Sequence, residues 1–168
     1  GLERNADVVH MASYAPLLAH VDAWQWRPDL IWFDNLNVTG SPNYYAQKMF
    51  SAYRGTHVIP VTAGGLNLTG QDSLYASAVI DKKEAKAYIR IINASRSPRT
   101  VTINFAGNLS GRDAIIEVLR SESIYDYNTI SDPKKIFPVA SQLKIAGKKL
   151  TTELKGISAN NIIVQIAR

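Results

Sequence analysis

The chain has 168 residues, 46% of them apolar and 20% charged, with a formal charge of +5. That composition suits a folded globular protein and argues against a disordered one. It contains no cysteine, so disulfides and cysteine metal sites are excluded, and no apolar run approaches the roughly 20 residues a membrane helix needs.

The positive charge does not form a nucleic-acid surface. Lys82-Lys83, Lys134-Lys135 and Lys148-Lys149 each sit near an expected turn, without the interleaved aromatics that such a surface uses. Asn-x-Ser/Thr sequons begin at Asn37, Asn67, Asn93 and Asn108. They have meaning only for a chain secreted by a eukaryote, and chance accounts for them in a sequence this rich in turn residues.

Gly1 is followed directly by apolar residues at helical spacing, Leu2, Ala6, Val9 and Ala12, then Met11, Ala15 and Leu18. The spacing predicts a helix that ends near Pro16, which has no backbone N–H to donate. With no initiator Met and no capping residue ahead of it, the expectation is that an upstream part is missing. Residues 29–34 form a short apolar run between two aspartates, as in a strand buried on both faces of a parallel sheet. Ser41-Pro42 then predicts a helix start, with Ser as cap and Pro in the first turn. Tyr45, Met49 and Ala52/Tyr53 are its expected buried stripe, and Gly55 its left-handed terminator.

Beyond residue 56 the period changes to two. Leu74, Ala76, Ala78 and Ile80 alternate with Tyr75, Ser77 and Val79. After the tip Asp81-Lys82-Lys83-Glu84, residues Ala87, Ile89 and Ile91 continue the alternation, which predicts a hairpin with one face inward. The pattern recurs at Val101/Ile103/Phe105, Ala114/Ile116/Val118, Leu143/Ile145, Leu150/Thr152/Leu154 and Ile162/Val164/Ile166, with a tight turn at Ala146-Gly147-Lys148. Residues 125–138 read as a long surface connection. The fold class expected is mainly β: an antiparallel, jelly-roll-like β-sandwich over 56–168, preceded over 1–55 by an α-β-α piece of a (β/α)8 barrel.

Two segments carry a family resemblance. Glu3-Arg4-Asn5-Ala6-Asp7-Val8-Val9-His10-Met11-Ala12-Ser13-Tyr14-Ala15-Pro16-Leu17 resembles a stretch late in the catalytic barrel of family 51 glycoside hydrolases, the α-L-arabinofuranosidases. Ser41-Pro42-Asn43-Tyr44-Tyr45-Ala46-Gln47-Lys48-Met49-Phe50-Ser51 is similar to a second segment of that family. Asn128 to Val139 and the Ile91-Ile92-Asn93 strand end are weaker matches in the same order.

The resemblance implies a retaining exo-hydrolase that removes terminal arabinofuranosyl groups from hemicellulose or pectin side chains. Its partners would be the rest of the catalytic barrel, an arabinose-containing polysaccharide or oligosaccharide, and further copies in a homo-oligomer, with no nucleic acid and no membrane. It implies no metal and no cofactor. The reaction takes two carboxyl groups about 5–5.5 Å apart. In the family both glutamates precede the segment where this chain begins, so no catalytic residue is assigned here and the chain alone is expected to be inactive and structural. The compartment is left open, with a secreted or periplasmic parent enzyme favoured over a cytoplasmic one.

Scattered carboxylates at Glu84, Glu117, Glu122 and Glu153 form no constellation. Glu3 and Asp7 share a helix face, where solvation or pairing with a neighbouring cation is expected. His10, His20 and His57 lack ligand spacing. Barrel active sites are built by loops at the C-terminal ends of strands, here residues 33–44. Within them Asn35, Asn37, Asn43 and Tyr44 are the candidate substrate-binding residues, although the glutamine that family members often carry in this loop is absent. The alternative function is a carbohydrate-binding β-sandwich module. The β half offers few aromatics for one, since Trp24, Trp26 and Trp32 all lie in the first 55 residues.

Overall fold

The computed structural model describes residues 1–167. In chain order the strands are β1 (Leu18–His20), β2 (Ile31–Phe33) and β3 (Val38–Gly40), followed by the helix α1 (Pro42–Ala52). Then come β4 (His57–Ile59), β5 (Thr62–Ala63), β6 (Leu66–Asn67), β7 (Leu74–Asp81), β8 (Lys86–Asn93) and β9 (Arg99–Asn104). The chain ends with β10 (Leu109–Arg120), β11 (Val139–Lys144), β12 (Lys149–Leu154) and β13 (Ser158–Ile166).

The large sheet runs β11-β10-β13-β8-β7-β4 and every pairing in it is antiparallel. The β9–β12 ribbon covers one face of it. Leu150 and Leu154 of β12 and Ile162 of β13 are fully buried between the layers, with Ala76, Ala78, Ala87, Ile89, Ile91, Ala114, Ile116 and Val164 around them. These are the inward positions that the period-two alternation predicts, so the β-sandwich is as expected. Both turns are also as expected. The Asp81 carboxylate accepts the N–H groups of Lys83 and Glu84, and Gly147 supplies the positive φ of 63° between β11 and β12.

The hairpin β7–β8 is not exposed on its second face. Ser77, Val79, Tyr88 and Arg90 are buried there as well, because α1 and the N-terminal segment lie across them. Met49 of α1 packs on Leu119 and Ile136. Ser41 caps the helix as expected, its Oγ accepting the Tyr44 N–H at 3.2 Å. Ala52 is exposed, however, so the buried stripe is Tyr45, Ala46 and Met49. Gly55 is not a left-handed terminator. It is glycine because β7 passes too close: a Cβ there would lie 2.5 Å from that of Val79.

The first predicted helix is absent. Residues 3–5 make a single 3-10 turn, and Leu18 belongs to a strand. The apolar positions that defined the helical stripe are left largely uncovered: Leu2 is 61% exposed, Met11 88% and Leu18 58%. A helix this short is marginal without packing, and Pro16 disfavours helix at the residue before it. The residue 29–34 run does form a strand with a parallel neighbour. β2 pairs parallel with β1 (Leu18↔Ile31) and antiparallel with β3 (Ile31↔Gly40). Its three residues are half-buried, less covered than a strand inside a closed parallel sheet.

Polar contacts tie this small mixed sheet and helix to the sandwich. Arg90 is 2% exposed. It pairs with Glu3 at 2.6 Å and donates to the carbonyls of Phe50 and Tyr53 at the end of α1. A cation at a helix C-terminus satisfies carbonyls that have no helical partner. Glu3 also accepts from Ser77 Oγ at 2.6 Å, and Arg4 donates to the Ala76 carbonyl. Burial draws the Arg90 pKa down, and Glu3 pushes it back up. The sequon residue Asn93 is fully buried, with its amide donating to the carbonyls of Ser97, Leu154 and Lys155. It is a structural side chain, not a glycan acceptor.

Candidate functional site

β2 delivers the chain to Asp34, and a tight hairpin loop returns it along β3. The Asp34 carboxylate organises that loop. Its Oδ1 accepts the N–H of Leu36 at 2.7 Å and of Asn37 at 2.6 Å, and the Asp34 N–H donates to the Asn37 carbonyl at 3.0 Å. These bonds hold the Asp34 pKa below the usual carboxylate value, the Leu36 and Asn37 backbone contacts contributing most. Aspartate in this role closes an Asx-type turn.

The four candidate residues occupy three different settings. Asn35 stands exposed at the hairpin tip, beside a Leu36 that is 92% exposed. Asn37 is exposed but committed: its Nδ2 donates to both Asp34 oxygens at 3.3 and 3.2 Å. Asn43 is exposed on the first turn of α1, and it alone of the four lines the two main clefts. Tyr44 is half-buried. Its ring packs edge-on against Tyr45 at 5.2 Å and lies over Gly40, where any Cβ would come within 2.4 Å of it. The structure therefore joins Asn35 and Asn37 on one loop and sets Asn43 and Tyr44 apart from them on the helix start.

One cleft, of about 880 Å³, lies between the N-terminal segment and α1 and is largely apolar, with Leu2, Val9, Met11 and Phe50 in its wall. The second, of about 780 Å³, lies between residues 27–43 and the connection 124–131. Its wall includes Arg27, Asp29, Trp32 and Tyr127. The Arg27 guanidinium sits 4.8 Å from the ring centre of Trp24, 4.9 Å from that of Trp32 and 5.3 Å from that of Tyr127. The connection is anchored by Asn128, which is buried and donates to the carbonyls of Gly40 and Ile136. Sequence reasoning missed this cluster, because its aromatics come from both halves and it was sought within one. Asp29 was visible only as the border of an apolar run.

Among the described residues no group of three His, Asp or Glu side chains is placed to hold a metal ion. The carboxylates hold structure together. Glu3 meets Arg90 and Ser77, and Glu117 accepts from Tyr53 at 2.6 Å. Hydrogen bonding to Lys135 and Ser121 keeps Asp126 below its ordinary pKa.

Fold and site together define a two-layer β module carrying a short α/β segment on its outer face. The sequence matches the α-L-arabinofuranosidase C-terminal domain across residues 1–158. It is 34% identical over 162 residues to α-L-arabinofuranosidase 1 of Arabidopsis thaliana, an alignment covering 92% of this chain and 23% of that protein. A 63-residue stretch, 38% of the chain and 8% of the relative, is 59% identical to an extracellular exo-α-L-arabinofuranosidase of Streptomyces chartreusis. The arabinose-bound structure of the family 51 α-L-arabinofuranosidase MgGH51 superposes with a TM-score of 0.88 at 33% identity, over 99% of this chain and 26% of that one. The Xanthomonas axonopodis pv. citri family 51 enzyme shares the fold with a TM-score of 0.77 at 23% identity, over 98% of this chain and 33% of that one. The chain belongs to the α-L-arabinofuranosidase C-terminal domain family, and it spans about a quarter of the length of these full-length relatives.

Proposed function

We propose that this chain is the C-terminal part of a retaining α-L-arabinofuranosidase, and that by itself it is structural and inactive. The intact enzyme would remove terminal arabinofuranosyl groups from hemicellulose or pectin side chains. One observation carries the reading: the family match covers residues 1–158 of this chain, while the alignment to the Arabidopsis relative takes in 23% of that protein. The internal carboxylate contacts agree with it, since Glu3 and Glu117 serve the fold.

In this reading residues 1–55 close the catalytic barrel and residues 56–168 form the supporting sandwich. The loop after β2 faces substrate, with Asn35 and Asn37 offering amide groups to furanose hydroxyls and Asn43 and Tyr44 flanking them. The rest of the barrel is the main partner, and oligomer contacts between copies are a further one. The extracellular name of the Streptomyces relative supports secretion of the parent enzyme.

The test is release of arabinose from an aryl α-L-arabinofuranoside. The 168-residue chain alone is expected to give none above background. Turnover within the usual enzymatic range, about 1 per second or faster, would sink the proposal.

A further inference from the structure

Lys82 has a partner unlike those of the other paired lysines. Lys135, Lys144 and Lys155 meet the carboxylates of Asp126, Asp113 and Glu153, and Lys148 meets the amide oxygen of Asn108. Lys82 Nζ instead lies 3.2 Å from His57 Nε2. The fold sets up this approach. β4 pairs antiparallel with β7, with His57 opposite Ile80. Lys82, just beyond the end of β7, falls at the diagonal position, which a long side chain can span. The adjacent carboxylate is already used, because Asp81 Oδ1 accepts the N–H groups of Lys83 and Glu84.

The hydrogen bonds around Thr56 fix the state of the imidazole. Thr56 Oγ1 donates its proton to the Ile80 carbonyl at 3.0 Å and accepts the Lys82 N–H at 3.4 Å. His57 Nδ1 lies 2.9 Å from the same oxygen, so it is the ring nitrogen that carries hydrogen. The lone pair is left on Nε2 and faces Lys82 Nζ, which as an ammonium only donates. Both side chains are exposed, so a reagent in solution reaches them.

A nucleophilic amine with a base at hydrogen-bond distance is the arrangement that Schiff-base chemistry on carbonyl compounds uses. We propose that Lys82 is a covalent modification site for small α-hydroxy aldehydes, the open-chain form of free aldoses included, with His57 as the base. Lys82 Nζ adds to the aldehyde carbon and water leaves, giving an imine. His57 Nε2 then takes the proton from the hydroxyl-bearing carbon beside it, giving an enaminol. The enaminol gains a proton at the former aldehyde carbon and loses its hydroxyl proton, which leaves a ketoamine on Lys82. One carbon is oxidised as its neighbour is reduced, so no outside oxidant or reductant is needed. The base acts at the carbon next to the imine, and this selects the electrophile: an acyl donor needs no proton removed there. No step depends on the activity of a parent enzyme, so this proposal and the function proposed above fail separately.

The test is incubation of the 168-residue chain with D-ribose at neutral pH, followed by mass-spectrometric mapping of ketoamine at each lysine. Lys82 should accumulate it roughly tenfold faster than Lys144 or Lys155, which are also exposed. His57→Gln, a change at an exposed position that leaves the fold intact, should bring Lys82 down to their rate. Acetic anhydride should label Lys82 equally in both proteins. Even ribose labelling across the lysines overturns the proposal. So does an excess at Lys82 that survives in His57→Gln, which would make exposure the cause. An equal loss of acetylation in that variant overturns it too, since His57 would then present the amine and not act as a base.

Discussion

Residues 1–55 and residues 56–167 hold their shape by different means. The second region has a closed apolar interior, in which Leu150, Leu154 and Ile162 are fully buried and Ala78 and Val164 nearly so. The first exposes much of its apolar content: Leu2 at 61%, Val8 at 73%, Met11 at 88% and Leu36 at 92%. It is attached through α1, whose Met49 reaches Leu119, and through the charged clamp of Glu3, Arg4 and Arg90. Apolar burial is non-directional and tolerant of small shifts, whereas a buried ion pair depends on geometry. The contrast is between a region that leaves apolar surface open and a region that closes its own interior.

Two substitutions attack that contrast, the larger first. Leu150→Ala removes a fully buried side chain from the interior of the sandwich and should cost about 3–5 kcal/mol in urea unfolding. Met11→Ala, at an exposed position, should stay within about 0.5 kcal/mol. Equal effects would erase the distinction between the regions. Glu3→Ala comes next. It strands the Arg90 guanidinium beside Ser77 and should cost about 2–3 kcal/mol, below the full penalty for a broken buried pair because Glu3 keeps some solvent contact. It should also release residues 1–17 to limited proteolysis while the sandwich remains resistant. A loss under about 0.5 kcal/mol would show that the clamp holds nothing. Adding Arg90→Met should recover part of the loss, because the uncompensated charge is then gone.

The same contrast explains what was legible in the sequence. Period-two alternation reports a face buried by the strand's own sheet, and it located β7, β8, β10, β12 and β13 because that burial is internal to the second region. Ser41 announced α1 through local capping chemistry. Burial imposed by another element leaves no local trace: Arg90 falls between the inward positions Ile89 and Ile91, on the opposite face of the strand, yet is only 2% exposed. The helical spacing from Leu2 to Leu18 was real as a pattern, but the partner surface it requires is absent from these residues. At the candidate loop, Asn35 and Asn37 were visible as amide-bearing turn residues. The Asp34 bonds that fix Asn37 follow the same turn logic and could have been anticipated. The ring cluster around Arg27 could not, because Tyr127 reaches it through the long connection that Asn128 pins to Gly40.

The smallest effect concerns the seam itself. Tyr53, just past α1, donates to Glu117 of β10 at 2.6 Å, which adds a further hydrogen bond between the two regions. Burial first, and then the Glu117 carboxylate, push the Tyr53 pKa up to about 12. An unfolded tyrosine ionises near pH 10. Between about pH 10 and 12 the unfolded chain therefore holds fewer protons than the native one, and stability falls as pH rises through that window. Burial also raises the Tyr45 and Tyr88 pKa values, so they contribute to the same decline. Tyr53→Phe should cost about 1 kcal/mol at neutral pH through the lost hydrogen bond. It should also flatten the alkaline decline in urea midpoints without abolishing it, because the other two tyrosines remain. An unchanged alkaline slope in the variant would mean that Tyr53 is not held by Glu117 in solution, and that the seam rests on its other contacts, those of Met49, Arg90, Arg4 and Asn128 among them.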